Sequence, residues 1–435
     1  MLKNTDLVIN KNCLHKVKTS GYIPLRFKNR SVLAYRLSEN LPDFHLKTTL
    51  GGEIDKIGDY YIYGMTLECL IQIFSIVEAL LKKGVKKDVL FYTDKVIVCT
   101  DDLIVAMLEY FITYYKLEKG INIFVSFCKI CNGEILYGID DKQIKCNNGF
   151  FWGITANSLI HDSFLLEWGP NKEYFSNENG CLQLFNSHCV ESQSRVDGIV
   201  TNERRSVTKF LMRLRRYLVD RQVKKEAVEA IVAVVGELAP NAIEHGETNC
   251  RICVTCNDME FIEDDNPGVV ISLVILDFSE KLLWTALRKK IFEDSDDYVY
   301  KKDRIDTVKR AWDCHSKRFT DTYGDNDFYN IMTFQKISGR EGDRPDGGLG
   351  ISTLVQAVQK YSRFDHCYVL SGNNAVFLKS ELMQKNADEY IAFNMERDYE
   401  NKIPDNDAVS LTKFYFPGVA YNLNFMFEKE RVRDD

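Results

Sequence analysis

Glu237, Asn241 and His245 stand four residues apart in the otherwise apolar segment Val235-Gly-Glu-Leu-Ala-Pro-Asn-Ala-Ile-Glu-His-Gly246. On a helix this spacing stacks side chains on one face, so the three polar groups project together. A carboxylate there can orient or deprotonate an attacking water. A carboxamide oxygen can serve Mg2+, which keeps most of its waters and accepts few protein oxygens. Downstream, the run VVISLVILDFS is apolar almost throughout and carries Asp277 near its end. Such a carboxylate must find a donor or stay near water, because burying it unpaired costs several kcal/mol. Farther on, RPDGGLGIST sets Gly347, Gly348 and Gly350 at the start of a helix. Glycines there let the backbone approach a phosphate, and the helix N-terminus offers free N–H groups and a positive dipole end. The competing structural reading gives Glu237 and His245 to an exposed helix face and Asn241 to a helix end.

The elements that must hold these groups follow from periodicity and turn residues. Apolar spacing predicts a helix from Val223 to about His245, then strands over CRICVTCND and VVISLVILDFS separated by the turn DDNPG. Helical segments are expected around 280–292 and 303–318, then the glycine loop with its helix, then strands HCYVLSG, NAVFLKS and GVAYNLNFMF. This order fits helices laid over a mixed or antiparallel sheet. Just upstream, NERRSVTKFLMRLRRYLVDR reads as a helix with Phe210, Leu211, Leu214 and Leu218 on one side. Arg205, Lys209, Arg213 and Arg216 lie around the other side and are expected to be a solvated basic face. Earlier still, residues 62–127 alternate helix and strand, which is α/β wiring. The chain turns polar and irregular at about 169–198, so the expected domains are 1–195 and 199–435.

Composition sets the broad class. The chain has 435 residues, 45% hydrophobic and 27% charged, with 8 prolines and a net charge of −7. That is an ordinary globular balance with enough length for two or three domains. The negative charge argues against a dedicated nucleic-acid binder. No apolar leader or uninterrupted membrane-length run is visible, so a cytoplasmic protein with reduced thiols is expected. The 13 cysteines are odd in number and scattered, unlike a disulfide framework. Cys128 and Cys131, with Cys146 and His161 beyond, could ligate zinc, but a second paired knuckle is missing. Cys250, Cys253 and Cys256 cannot share one strand face, since faces alternate with period two. There is no GxxxxGK[ST] loop, so any nucleotide site must rest on the helix, strand and glycine-loop constellation.

That constellation resembles the GHKL superfamily, the Bergerat-fold ATPases. ELAPNAIEH is similar to its N box, ILDFS stands where its first glycine box falls, DGGLGIST resembles the second, and FPGVAYNLNF resembles the closing segment. The likeness covers about residues 205–428. It implies a Bergerat-type α/β sandwich binding ATP and Mg2+. Within it Glu237 would be the general base, Asn241 the metal ligand and Asp277 the acceptor of an adenine amino hydrogen. Gly348 and Gly350 would contact phosphate, Gly347 would let the loop fold, and Lys336 and Arg340 would neutralise phosphate charge from a lid. His245 would have a supporting role. The implied activity is a slow ATPase serving as a conformational switch for a protein partner or the N-terminal half, often as a homodimer. A serine kinase of the anti-sigma type and a non-hydrolysing regulatory module are the alternatives. The N-terminal half is loosely similar to STAS domains. Three departures stand out: Asp277 is followed by Phe278, Ser279 and Glu280 rather than spaced glycines, Val419 replaces a threonine, and Pro240 interrupts the N-box helix. A kink or bulge beside Asn241 is expected from the proline.

Overall fold

The computed structural model describes residues 22–27, 30–36, 46–47, 53–54, 56–57, 60–65, 67–93, 96–99, 103–104, 106–108, 111, 115, 119–127, 129–131, 134–136, 191–192, 195–200, 204–244, 246–248, 250–260, 267–279, 281–293, 302–335, 349–362 and 367–428. Two compact units divide the chain between Arg195 and Val196.

In the N-terminal unit, β1 (Ile23–Phe27) pairs antiparallel with β2 (Arg30–Arg36). Strand β2 then pairs parallel with β3 (Asp88–Thr93), and β3 parallel with β4 (Ile123–Phe127). Parallel neighbours need crossover segments. Helix α1 (Leu67–Lys82) precedes β3, and helical residues within 103–111 precede β4. Leu70, Phe74 and Val77 of α1 and Leu103, Met107 and Phe111 are buried, with the Phe74 and Phe111 rings 4.1 Å apart. These are the apolar faces that helical spacing marks out.

The C-terminal unit begins with β5 (Arg195–Val200), α2 (Arg204–Asp220) and α3 (Lys225–Glu244). Next come β6 (Cys250–Glu260), β7 (Pro267–Asp277), α4 (Thr285–Phe292), α5 (Lys302–His315) and α6 (Asp325–Met332). Helix α7 (Leu349–Tyr361) and strands β8 (Tyr368–Phe377) and β9 (Val409–Glu428) complete it. In the sheet the order runs β5-β6-β7-β9-β8, and the pairs β6–β7, β7–β9 and β9–β8 are all antiparallel. This is an α+β arrangement.

Strand β7 explains its own unbroken apolar run. Val269, Ile271, Leu273 and Ile275 join the core shared with the helices, while Val270, Ser272, Val274 and Leu276 are buried on the opposite face. Ser272 Oγ satisfies itself there by donating to Asn424 Oδ1 at 2.7 Å. Alternation puts Asp277 on the helix face. Cys250 and Cys256 likewise lie in the helix-side core while Cys253 does not, and all three are free thiols.

Helix α3 buries Ala227, Val228, Ile231, Val234, Val235, Leu238, Ala239, Ala242 and Ile243 against the sheet and its neighbours α2 and α7. Phe210, Leu214 and Leu218 are the buried face of α2, and Lys209 and Arg216 are exposed as expected. Met212 and Val219, 69% and 57% exposed, share that outer surface, so it is not purely basic. Helix α3 continues through Pro240 as a single element. Proline lacks the N–H that would bond the Gly236 carbonyl, and its ring crowds that same carbonyl. A Cβ on residue 236 would stand 3.5 Å from the Leu211 side chain, an ordinary contact distance.

Two features differ from the sequence expectation. HCYVLSG and NAVFLKS belong largely to one strand, β8, whose register shifts around Gly372 at φ +65. Helix α6 was not anticipated, because Asp327 through Met332 are all buried and no polar face marks its period. Asp327 is satisfied by Gly324 N–H at 2.9 Å and Asn374 Nδ2 at 2.5 Å.

Below α6, His315 is fully buried, with Nδ1 2.7 Å from the Tyr323 hydroxyl and Nε2 3.0 Å from the Tyr399 carbonyl. The neutral ring satisfies both by donating from Nε2 and accepting at Nδ1. Burial above all holds its pKa down to about 4. The unfolded chain protonates this histidine near pH 6.5 while the folded one does not, so stability falls as pH drops from 6.5 towards 4. That loss is worth about 3 kcal/mol at its limit. Urea unfolding of the wild type and His315→Gln should therefore show a shallower acid loss in the variant over this window.

Candidate functional site

The site is built where α3 ends. Glu237 and Asn241 are both half-buried, on the stripe that also carries Ala233, Pro240 and the exposed Glu244. They thus occupy the outer edge of the helix, one turn apart, with Leu238, Ala239, Ala242 and Ile243 turned inward. Gly246 closes the helix, its N–H reaching back to the Asn241 carbonyl at 3.4 Å. A Cβ on residue 246 would come within 2.4 Å of the Ala242 carbonyl oxygen, so glycine permits this closure.

Asp277 is brought to the same end of the sheet by the residues just after it. Ser279 Oγ donates to the Gly246 carbonyl at 2.7 Å and accepts the Lys281 N–H at 2.9 Å. Lys281 also pairs with Glu247. On the other side, the Leu283 N–H donates to Ser371 Oγ at 2.9 Å, and that hydroxyl donates to the Gly418 carbonyl at 3.1 Å. The segment 277–283 is therefore tied both to the α3 terminus and to the β8–β9 pair.

The Asp277 carboxyl is 4% exposed and accepts the Val419 N–H at 3.4 Å. Burial pushes its pKa up to about 8, against the opposing pull of the Val419 and Ser279 N–H groups. At neutral pH most of the population is then the neutral acid, which both donates and accepts. Cys250 stands opposite Asp277 in the sheet register, its thiol pushed up by burial first and by the Asp277 carboxyl second. Gly418 presses against the carboxyl at φ +92, where an added Cβ would lie 2.4 Å from Oδ1 and 2.6 Å from the Asp277 carbonyl oxygen.

Helix α7 packs beside α3. Lys360 in its last turn pairs with Glu226 in the first turn of α3, and the Tyr361 hydroxyl reaches the same carboxylate at 3.3 Å.

The segment after Asp277 is therefore tied to the end of α3 through Ser279 and Gly246, with Asn241 in the last turn of that helix and Glu237 one turn earlier. Lys336, Arg340, Gly347, Gly348 and His245 lie outside the described residues, as do Cys128, Cys146 and His161 of the possible zinc set. Among the described residues no group of three or more His, Cys, Asp or Glu side chains is placed to hold a metal. No described helix is long and apolar enough to cross a membrane. Sequence reasoning missed Ser279, although a serine directly after a buried strand end is a natural hydrogen-bond anchor. It noticed the Pro417-Gly418 pair without its contact to Asp277.

Comparison of the chain with family models, curated proteins and solved structures finds no match.

Proposed function

We propose that the C-terminal unit is a GHKL-like ATP-binding domain that hydrolyses ATP slowly, its nucleotide state being read by a protein partner or by the N-terminal unit. What supports this reading is the spacing of Glu237 and Asn241 one turn apart near the end of α3, together with the tie of the Asp277 segment to that end through Ser279 and Gly246. Each group offers a different piece of nucleotide chemistry. As a neutral acid, Asp277 can accept the adenine amino hydrogen at its carbonyl and donate its own proton to a ring nitrogen. Asn241 would hold Mg2+, an oxygen donor of the right kind for a hard cation. That ion, when bound, would neutralise the charge of the phosphates. Gly350 and the free N–H groups of the first turn of α7 would meet the phosphates, with Gly347 and Gly348 shaping the loop. Lys336 and Arg340 would add positive charge. Glu237 would orient the attacking water and take its proton.

The reading separates binding from turnover. Glu237→Ala should cut phosphate release by about a hundredfold or more, while the thermal stabilisation by ATP and Mg2+ stays as in the wild type. Position on an outer helix stripe favours one alternative, in which Glu237 is only solvated and the domain binds without hydrolysis. Unchanged phosphate release in Glu237→Ala would select that alternative. Transfer of labelled phosphate to a protein serine would instead select the kinase.

A further inference from the structure

Strand β9 brings a second polar group to Asp277. Register sets Cys250 of β6 opposite Asp277 of β7, and on the other side Val419 of β9 gives its N–H to the Asp277 carboxyl. Two residues farther along β9, Tyr421 pairs with Ile275 and belongs with it to the core between the sheet and the helices. Residues two apart on a strand point the same way, so Tyr421 is a diagonal neighbour of Asp277 on the helix face, a spacing that an aromatic side chain can reach across. Tyr421 is 5% exposed, and its hydroxyl has no hydrogen-bond partner among the described residues. A buried tyrosine ordinarily finds one, because an unpaired O–H loses its water without replacement. The hydroxyl nevertheless feels its neighbours. Burial first, then the Asp277 carboxyl and the Cys250 thiol, hold the phenol well above its usual pKa, so it is an O–H donor at neutral pH.

We infer that the Tyr421 hydroxyl is a second base-binding group of the nucleotide site, donating to N7 of the adenine whose amino group Asp277 holds. The inference rests on the ATP-binding reading and deepens it. The amino group and N7 lie side by side on one edge of adenine. Asp277, as the neutral acid, engages the amino group and the ring nitrogen on its far side, which leaves N7 as the open acceptor of that edge. The other neighbours of Asp277 in the sheet have no donor to spare for it. The Cys250 thiol turns to the Arg251 carbonyl at 3.8 Å, and the Val419 N–H is already given to the carboxyl. Tyr421 supplies the missing donor, and the base in turn supplies the partner that its hydroxyl lacks.

The test titrates the full-length wild type and Tyr421→Phe with Mg2+ and either ATP or 7-deaza-ATP, in which a C–H replaces N7. The substitution removes one oxygen that has no partner in the chain, so the melting temperature should not fall. The wild type is expected to bind 7-deaza-ATP about tenfold more weakly than ATP, and Tyr421→Phe to bind ATP about tenfold more weakly than the wild type does. The two losses should not add: the variant should bind both nucleotides alike, as expected when both changes remove the same bond. Equal ATP affinity in the two proteins, or a loss in the variant that persists undiminished with 7-deaza-ATP, would overturn the inference and leave the ATP-binding reading standing. Absence of ATP binding to the wild type would overturn both.

Discussion

Gly418→Ala is expected to destabilise the C-terminal unit by at least about 3 kcal/mol and to abolish nucleotide binding. The new Cβ would lie 2.4 Å from Asp277 Oδ1, 2.6 Å from the Asp277 carbonyl oxygen and 2.7 Å from the Ser279 nitrogen. Two of these are backbone atoms that cannot swing aside, and the φ of +92 is strained for any residue with a Cβ. Relief requires β9 to move away from β7, which breaks the Val419 N–H bond to Asp277. Thermal melting reads the first effect, as a fall of about 10 °C. Gly372→Ala is the control: its φ is also positive, but its Cβ would meet the Leu282 side chain at 3.2 Å, a neighbour that can yield. A smaller loss there would separate crowding at Asp277 from backbone strain in general.

The second large effect concerns the Asp277 proton. An aspartate titrates near pH 3.8 when unfolded, and the folded chain holds this one neutral up to about pH 8. Between those values the folded state binds more protons than the unfolded state. The contribution of Asp277 is therefore most favourable below pH 3.8 and is lost as pH rises through about 8. Each unit of that shift corresponds to about 1.4 kcal/mol, so the penalty at pH 8 is on the order of a few kcal/mol. Asp277→Asn keeps an oxygen for the Val419 N–H and has no proton to lose. Urea unfolding should find this variant more stable than the wild type at pH 8, with the advantage shrinking steadily towards pH 5. A constant difference across that range would mean that Asp277 is ionised in the folded protein.

Much of this architecture is legible in the residues themselves, for identifiable reasons. Strand β7 is buried on both faces, so it reads as an unbroken apolar run, and the first strong acid ends it. Helix α3 writes its buried face at helical spacing, which is why Glu237 and Asn241 can be placed together on its outer edge. Helix α6 is illegible for the opposite reason: with Asp327 and Asn330 as buried as Phe328 and Ile331, burial leaves no periodic contrast. Ser-Gly-Asn-Asn at 371–374 imitates a hairpin turn, yet antiparallel pairing to β9 carries the strand through it with a shifted register. Pro240 reads in the sequence as a kink or bulge beside Asn241. In three dimensions α2, α7 and the sheet pack against the inner faces of the helix, and it stays one element through the proline. The contact between Gly418 and Asp277 joins residues far apart in the chain, and only the β7–β9 pairing reveals it.

The central claim is that Asp277 closes a nucleotide site, and calorimetric titration of the full-length protein with ATP and Mg2+ tests it most directly. The account predicts saturable binding to the wild type, preference for ATP over GTP, and loss of both in Asp277→Ala while that variant still melts cooperatively. No binding to the wild type, or undiminished binding to a folded Asp277→Ala, would contradict it.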